Sequence, residues 1–490
     1  MIREHLEQIA RHRATLPLLL LLALCVRGIR LNTQELGYDE MLTAFEANGL
    51  SMEDMLGKEV PFTWNDMRAL DTPAHVVQSS LEFDGGNGVL YALALHGWKD
   101  LFGNGTFAWR SLCVTLGLLA IVLLHRMVLA LGGSPVMAFM TALIATVHAQ
   151  FVDYSQEVRG YMLAVVLLVS TVVVALQATT RERSRWFDGP LMGCLAAGAL
   201  FSHYFTAYIL VPFAIWYWLG RHAKVSRFGT AMALAIPVLA IGLWAVHVGG
   251  DGLRTILHRN TEIEDLVQAT GGNPMYPVLS WASALNGLSS QFLTMAGAMA
   301  REGQLYSPPA FALLILSFVL AGIGVRHVRH GMLLLVLALA APVNGILLSL
   351  FTGHAVALRT HYALFSTPFM IMLIAAGVCH LLDKTNKVRI AVLLPMFQLI
   401  AMIVGTFHVW KGTHYLGPDR CAADARHVER AMKKDPHGEY HLVHGSRMAA
   451  LILGVHLREP ALDVPTIVRP IGSTTLLVRT YPVSDTLVIR

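Results

Sequence analysis

The run Leu16-Pro-Leu-Leu-Leu-Leu-Leu-Ala-Leu-Cys-Val26, followed shortly by Gly37-Tyr38-Asp39-Glu40, sets the terms for the whole chain. The first stretch is apolar enough to sit in hydrocarbon. The second puts two adjacent carboxylates close to it, a costly placement unless they face water, a partner or a substrate. The plainer alternative is a solvated helix N-terminus, where Asp and Glu complement the helix dipole.

Working outward, the chain repeats the apolar theme. Hydrophobic residues make up 55% and charged residues 14%, with a mean hydropathy of +0.54. Soluble domains carry roughly a quarter charged residues, so the composition predicts a polytopic membrane protein. The net charge of +5 is no sign of nucleic-acid binding, because Lys and Arg fall mainly in short loops between apolar spans. Cys25, Cys113, Cys194, Cys379 and Cys421 are scattered with no C-x-x-C pair, so neither a disulfide framework nor a zinc site is expected. Leu16–Val26 follows a basic start but lacks a small-x-small cleavage site, and Arg27 and Arg30 come next. It reads as a retained transmembrane helix rather than a signal peptide.

A span needs about 20 mostly apolar residues. That rule predicts eleven helices, near 14–31, 107–131, 135–151, 158–178, 190–204, 205–220, 230–249, 308–325, 332–352, 363–382 and 390–410. The interrupted apolar segments 88–102 and 278–300 read as re-entrant or interfacial helices. Basic residues cluster in the loops after the fourth helix (Arg181, Arg183, Arg185), the sixth (Arg221, Lys224, Arg227), the eighth (Arg326, Arg329) and the tenth (Lys384, Lys387, Arg389). These loops share one side, which the positive-inside rule makes cytoplasmic together with the N-terminus.

Three segments then lie outside: 32–106, about 250–307, and 411–490. The first carries Asp39 and Glu40 with Asp54, Asp66, Asp71, Glu82 and Asp84. The last reads as a small external α/β domain, separate from the membrane module 1–410. It has helices at 422–434 and 447–456 and strands near 440–443, 464–468, 474–479 and 486–490. No internal repeat or low-complexity tract is evident.

Chemistry is sought in the external turns. Asp153-Tyr154-Ser155-Gln156-Glu157-Val158-Arg159-Gly160-Tyr161 precedes the fourth predicted helix. Capping explains Ser155 and Glu157. It does not explain Arg159, a cation at a helix N-terminus, which suits an anionic partner: a phosphate gripped bidentately, or a carboxylate such as Glu157 or Asp39. Phe201-Ser202-His203-Tyr204-Phe205 and Arg359-Thr360-His361-Tyr362 are two further external turns. His203 is read there as structural or functional, Arg359 as a phosphate clamp or interfacial anchor. Asp84-Gly85-Gly86-Asn87-Gly88 reads as a hinge into the helix of Tyr91 and His96, and not as a phosphate-binding loop, since G-x-x-x-x-G-K is absent. Arg110 stands at the start of the second predicted span and is suited to hold the external loop. Carboxylates and cations gathered at one membrane face suit a reaction in which a carboxylate activates a hydroxyl while cations stabilise a phosphate leaving group.

The order of these pieces resembles the GT-C membrane glycosyltransferases. Among them it is most similar to the protein O-mannosyltransferase and aminoarabinose-transferase superfamily, in its bacterial dolichyl-phosphate-mannose-protein mannosyltransferase-like branch. The likeness covers about 14–410. It is carried by Gly37–Glu40, by Asn87 to Trp98 with Leu101-Phe102-Gly103 and Arg110, by Tyr154–Tyr161 and by Ser202–Phe205. It implies transfer of one sugar from a polyprenyl-phosphate carrier to a lipid, glycan or protein acceptor on the external face of the plasma membrane, with inversion. By that likeness Asp39 is the base, Glu40 supports it, Glu157 is a second acidic residue and Arg159 holds the donor phosphate. Tyr38, Asn87, Tyr91, Tyr154, Gln156, His203, Arg359 and Tyr362 complete the implied binding set. Many relatives carry His-Pro-Pro where this chain has Asn87-Gly88-Val89, so the pocket there is expected to differ.

Asp39, Glu40 and Glu157 are oxygen donors of the type magnesium or manganese takes, and the sequence leaves metal dependence open. The competing class is a lipid-linked-sugar flippase or transporter, for which inverted repeats would be expected. A catalytically inactive scaffold is the third.

Overall fold

The computed structural model describes residues 2–32, 36–51, 71–181, 185–220, 227–247, 278–298, 308–384, 388–410, 430, 441–444, 475–478 and 488–489. The helices, in chain order, are α1 (Ile2–Arg11), α2 (Thr15–Gly28), α3 (Tyr38–Asn48), α4 (Pro73–Asp84), α5 (Val89–Phe102) and α6 (Thr106–Ala130). They continue with α7 (Pro135–Val147), α8 (Ala149–Tyr154), α9 (Tyr161–Thr180), α10 (Asp188–Ser202), α11 (Ala207–Leu219) and α12 (Arg227–His247). The last are α13 (Trp281–Met295), α14 (Pro308–His327), α15 (Gly331–Thr352), α16 (Thr367–Lys384) and α17 (Val388–Trp410).

Each of the eleven predicted apolar stretches contains a helix, and so do the segments near 88–102 and 278–300. Length and apolarity alone qualify five described helices as spans: α6, α9, α12, α14 and α15. A sixth is added if the bent pair α1–α2 counts as one. Among the shorter apolar helices are α7, α16 and the stretch Tyr204–Leu219, which begins one turn before α11.

Three boundaries differ from expectation, each for a local reason. The helix expected over 135–151 breaks at His148, whose ψ of 118° is extended. The carbonyls of Ala145 and Thr146 are taken by the Arg27 guanidinium at 3.0 Å each, and that of Val147 by Thr406 Oγ1 at 2.8 Å. Side chains from elsewhere thus occupy the acceptors that a continuing helix would use. The helix expected from 158 starts at Tyr161, leaving 157–160 as a turn. The helix expected from 363 is preceded by a 3-10 segment, Thr360–Phe365, and starts at Thr367 with Pro368 in its first turn.

The chain divides into two compact units. The first comprises 1–29, 113–156 and 160–411. Its helices approach closely where glycine removes the side chain: a Cβ at Gly324 or Gly377 would run into the backbone of Leu373 or Leu320, across the α14–α16 contact. Small residues at such crossings let helices pack where lipid offers no hydrophobic gradient.

Buried polar side chains pin the turn before α16. Gln150 donates to the Thr360 carbonyl at 3.1 Å and accepts from Thr367 Oγ1 at 2.6 Å. Gln291 donates to the Arg359 carbonyl at 3.0 Å. At the end of α2, Arg27 donates to Ser155 Oγ at 3.1 Å while Gln156 Nε2 donates back to the carbonyls of Arg27 and Ile29.

The second unit comprises 30–112, 157–159 and 412–490. Here α3, α4 and α5 pack around Phe45 and Phe83, in edge contact at 6.0 Å. Thr72 caps α4 ahead of Pro73. Three short strands, β1 (His441–His444), β2 (Thr475–Val478) and β3 (Val488–Ile489), form one sheet in that order. β1 and β2 are parallel, β2 and β3 antiparallel. They fall at expected strand positions. The expected strand at 464–468, the helix at 422–434 apart from Arg430, the helix at 447–456, and Asp54, Asp66, Arg183, Arg221, Lys224 and Lys387 lie outside the described residues.

Candidate functional site

In the second unit the polar groups gather around the first turn of α3. Gly37 is its N-cap, and the Glu40 carboxylate reaches back to the Gly37 amide at 2.8 Å, the second half of a capping box. Glu40 is 5% exposed. Its Oε1 accepts from Arg110 Nε at 3.2 Å and from the Val158 amide at 2.9 Å, and its Oε2 also accepts from an Arg110 amino group at 2.9 Å. Arg110, equally buried, spends its remaining fork on the Leu31 carbonyl at 3.2 Å. Four hydrogen bonds occupy the Glu40 carboxylate, so it is a clamp between α3, α6 and the 157–159 turn. The sequence grouped Glu40 with Asp39 as catalytic. Its geometry suits holding, and leaves little acceptor capacity for a substrate.

Asp39, its neighbour, is different. It is partly exposed, its backbone carbonyl accepts from Thr43 Oγ1 at 3.1 Å, and among the described residues its carboxylate has no hydrogen bond or ion pair. Tyr38 begins α3.

Arg159 lies in the turn that follows Glu157, its amide bonded to the Glu157 carbonyl at 2.8 Å. Its guanidinium donates to Thr43 Oγ1 at 3.0 Å and pairs with Asp84 at 3.3 Å. The sequence offered Glu157 or Asp39 as carboxylate partners and passed over Asp84. One signal was available: Asp84 is the last residue of α4, where an anion opposes the helix dipole. Beyond it Gly85, Gly86 and Gly88 take φ of 60°, 79° and 87°, a left-handed path that side-chain-bearing residues avoid. This turn brings the Asn87 amide back to the Asp84 carboxylate at 3.1 Å. Tyr91, 1% exposed, is part of the α5 core.

Lys99 of α5 is buried with its ammonium 3.3 Å from the Ala44 carbonyl and 4.8 Å from the centre of the Trp109 ring. Burial pushes its pKa well below the usual ammonium range.

In the first unit, Tyr154, His203 and Tyr362 fall in one cluster of rings. Tyr161 stacks on His203 at 5.1 Å, with Tyr154 edge-on to it at 5.0 Å and His361 at 5.7 Å. Phe205 lies 4.0 Å from Tyr362, which in turn meets His203 at 5.9 Å. His203 follows the last residue of α10 and accepts from the Phe205 amide at 3.3 Å through Nδ1, so the turn is side-chain capped. His361, 4% exposed, belongs to the same cluster, as does Tyr161, and neither was singled out from sequence. Gln156 serves as the Arg27 clasp described above. Arg359 heads the 3-10 segment of this cluster.

Among the described residues no three His, Cys, Asp or Glu side chains are grouped to hold a metal ion. The trio Asp39, Glu40 and Glu157 does not fit one, because Arg110, Gly37 and Val158 already hold Glu40.

With this geometry in hand, comparison with solved structures places the fold. The chain is similar to ArnT from Cupriavidus metallidurans bound to undecaprenyl phosphate, with a TM-score of 0.54 and 15% identity over 90% of this chain and 84% of that one. ArnT from the same organism in the apo state gives 0.52 and 15% over the same shares. The oligosaccharyltransferase of Archaeoglobus fulgidus in its apo form stands at a TM-score of 0.49 and 11% identity, over 91% of this chain and 64% of that one. No curated protein matches the sequence.

The chain is thus an integral membrane protein with the GT-C fold. Residues 87–248, about a third of it, match the family model described as dolichyl-phosphate-mannose-protein mannosyltransferase. Glycosyltransferase is the enzyme class that the fold and the family match together define.

Proposed function

We propose that the protein moves a single sugar from a polyprenyl-phosphate carrier to an acceptor hydroxyl at the external face of the plasma membrane, with inversion at the anomeric carbon. The observation that carries this reading is the contrast within Asp39-Glu40. One carboxylate is fully engaged in holding the fold, and its neighbour is unclaimed among the described residues and partly exposed. A capping pair would not need that division of labour. A base would.

In the proposed step Asp39 takes the proton of the acceptor hydroxyl as that oxygen bonds to the anomeric carbon. The bond from that carbon to the phosphate oxygen breaks, and polyprenyl phosphate leaves with its charge stabilised by Arg159. Asp84 and Thr43 orient the Arg159 fork, and Glu157 is a second acidic group in the same turn. Tyr38, Asn87, Tyr91, Tyr154 and Gln156 are assigned to substrate binding or to its support, and His203, Arg359 and Tyr362 to the donor. Undecaprenyl phosphate bound to the similar ArnT supports a polyprenyl-phosphate donor here. The acceptor is a lipid, glycan or protein hydroxyl. The basic loops support a cytoplasmic N-terminus and an external 411–490 domain.

The test is sugar transfer in nanodiscs with a panel of polyprenyl-phosphate sugars and membrane-extract acceptors. Asp39→Asn should lower turnover by roughly 10²–10⁴-fold with wild-type folding. Full activity of that variant on a demonstrated donor would remove Asp39 from the mechanism.

A further inference from the structure

Residues 2–11 form an element the apolar pattern does not predict. α1 alternates Leu6, Ile9 and Ala10 with Glu4, His5, Glu7, Gln8 and Arg11, one apolar face and one charged. Such a helix cannot enter hydrocarbon and is suited to lie along the membrane interface. It meets α2 at an angle of 80°.

The elbow is built by reciprocal capping. Thr15 Oγ1 donates to the Ile9 carbonyl at the end of α1, and the Ala14 amide donates to His12 Nδ1 at 3.2 Å ahead of α2. With Nδ1 accepting, His12 keeps Nε2–H as a donor. A cavity opens at this elbow, lined by Ala10, His12, Thr15, Leu16, Leu19, His125 and Phe139. His125 Nδ1 is buried and without a hydrogen-bond partner among the described residues. The polar lining is therefore two imidazoles and a hydroxyl, and the rest is hydrocarbon. Arg11 and Arg13 flank His12, Arg126 follows His125, and all three are exposed. Glu4 and Glu7 belong to the polar face of α1.

We propose that this cavity binds one anionic phospholipid, its headgroup phosphate received by His12 and His125 under the field of Arg11, Arg13 and Arg126. Its acyl chain lies along Leu16, Leu19 and Phe139. The position argues for a lipid over a free ion. The elbow joins an interfacial helix to a span, so the cavity sits where headgroups are, and half its wall is apolar. Each basic side chain near an anionic surface contributes about 1 kcal/mol, which favours a net negative headgroup over a zwitterionic one.

Full-length protein in detergent, titrated separately with phosphatidylglycerol, phosphatidylcholine and inorganic phosphate and read by native mass spectrometry, tests this. One phosphatidylglycerol should bind at least about fivefold more tightly than phosphatidylcholine, and millimolar inorganic phosphate should not displace it. His12→Ala with His125→Ala should bring phosphatidylglycerol down to the phosphatidylcholine level. Arg13→Gln, which alters only an exposed charge, should weaken it measurably, and it decides the matter if the double variant is not monodisperse. Equal binding of the two lipids by wild type, wild-type affinity in Arg13→Gln, or displacement by inorganic phosphate would each overturn the site.

Discussion

At the scale of single residues, the molecule uses similar groups for opposite ends. Glu40 and Asp39 are adjacent, yet one is a strut and the other is unclaimed among the described residues. Glu40→Gln leaves Arg110 buried without a counter-charge, and breaking one side of a buried pair typically costs about 3–5 kcal/mol. The variant should therefore melt or lose detergent stability well below wild type, whereas Asp39→Asn should not. A thermal unfolding series on the two variants separates the roles.

Arg159→Ala removes a group expected to meet the donor phosphate, and should raise the apparent KM for the polyprenyl-phosphate sugar more than it lowers kcat with acceptor saturating. Lys99 makes a different prediction. Its folded pKa is depressed by burial, so between that value and about 10.4, its unfolded value, the unfolded chain binds more protons. Stability should then rise with pH through that window. Lys99→Met should flatten the alkaline rise in melting temperature, and an unchanged slope would show that the amine does not titrate there.

At the scale of elements, packing depends on a few glycines and on caps. Gly377→Leu would press a side chain into the Leu320 backbone at the α14–α16 crossing and should cost at least about 1–3 kcal/mol, read as a loss of monodisperse protein on gel filtration. The apolar spans were legible because hydropathy over twenty residues is a local property. The break at His148 was not, because its cause lies in Arg27 and Thr406, far away in sequence. Asp84 escaped for the same reason: its Arg159 partner is 75 residues distant, and only the contrary placement at a helix end hinted at it. α1 went unread because its charges hide a helix in what looks like a basic leader. In the ring cluster, His203 and Tyr362 were readable as polar punctuation in apolar sequence. Tyr161 and His361 sat in the quoted motifs, but only folding shows which rings meet.

At the scale of the whole molecule, the proposal implies a sidedness. A fluorescent reporter fused at the N-terminus should light in the cytoplasm, and alkaline phosphatase fused after residue 410 should be active outside. The reverse pattern would place Asp39 on the wrong face for an external acceptor.

Arg27 has a consequence for how such a protein is made. Its guanidinium is buried and bonded to the Ala23, Ala145 and Thr146 carbonyls and to Ser155 Oγ, with no carboxylate partner among the described residues. The acceptors outside its own helix arrive 118 to 128 residues later. At about 5–20 residues per second of synthesis that delay is roughly 6–25 s. During that interval the first hydrophobic segment carries a cation whose acceptors beyond its own helix have not yet been made. The segment's seat in the bilayer is provisional until α7 and the 155–156 turn emerge, so the nascent chain matures by a late arrival that locks an early one.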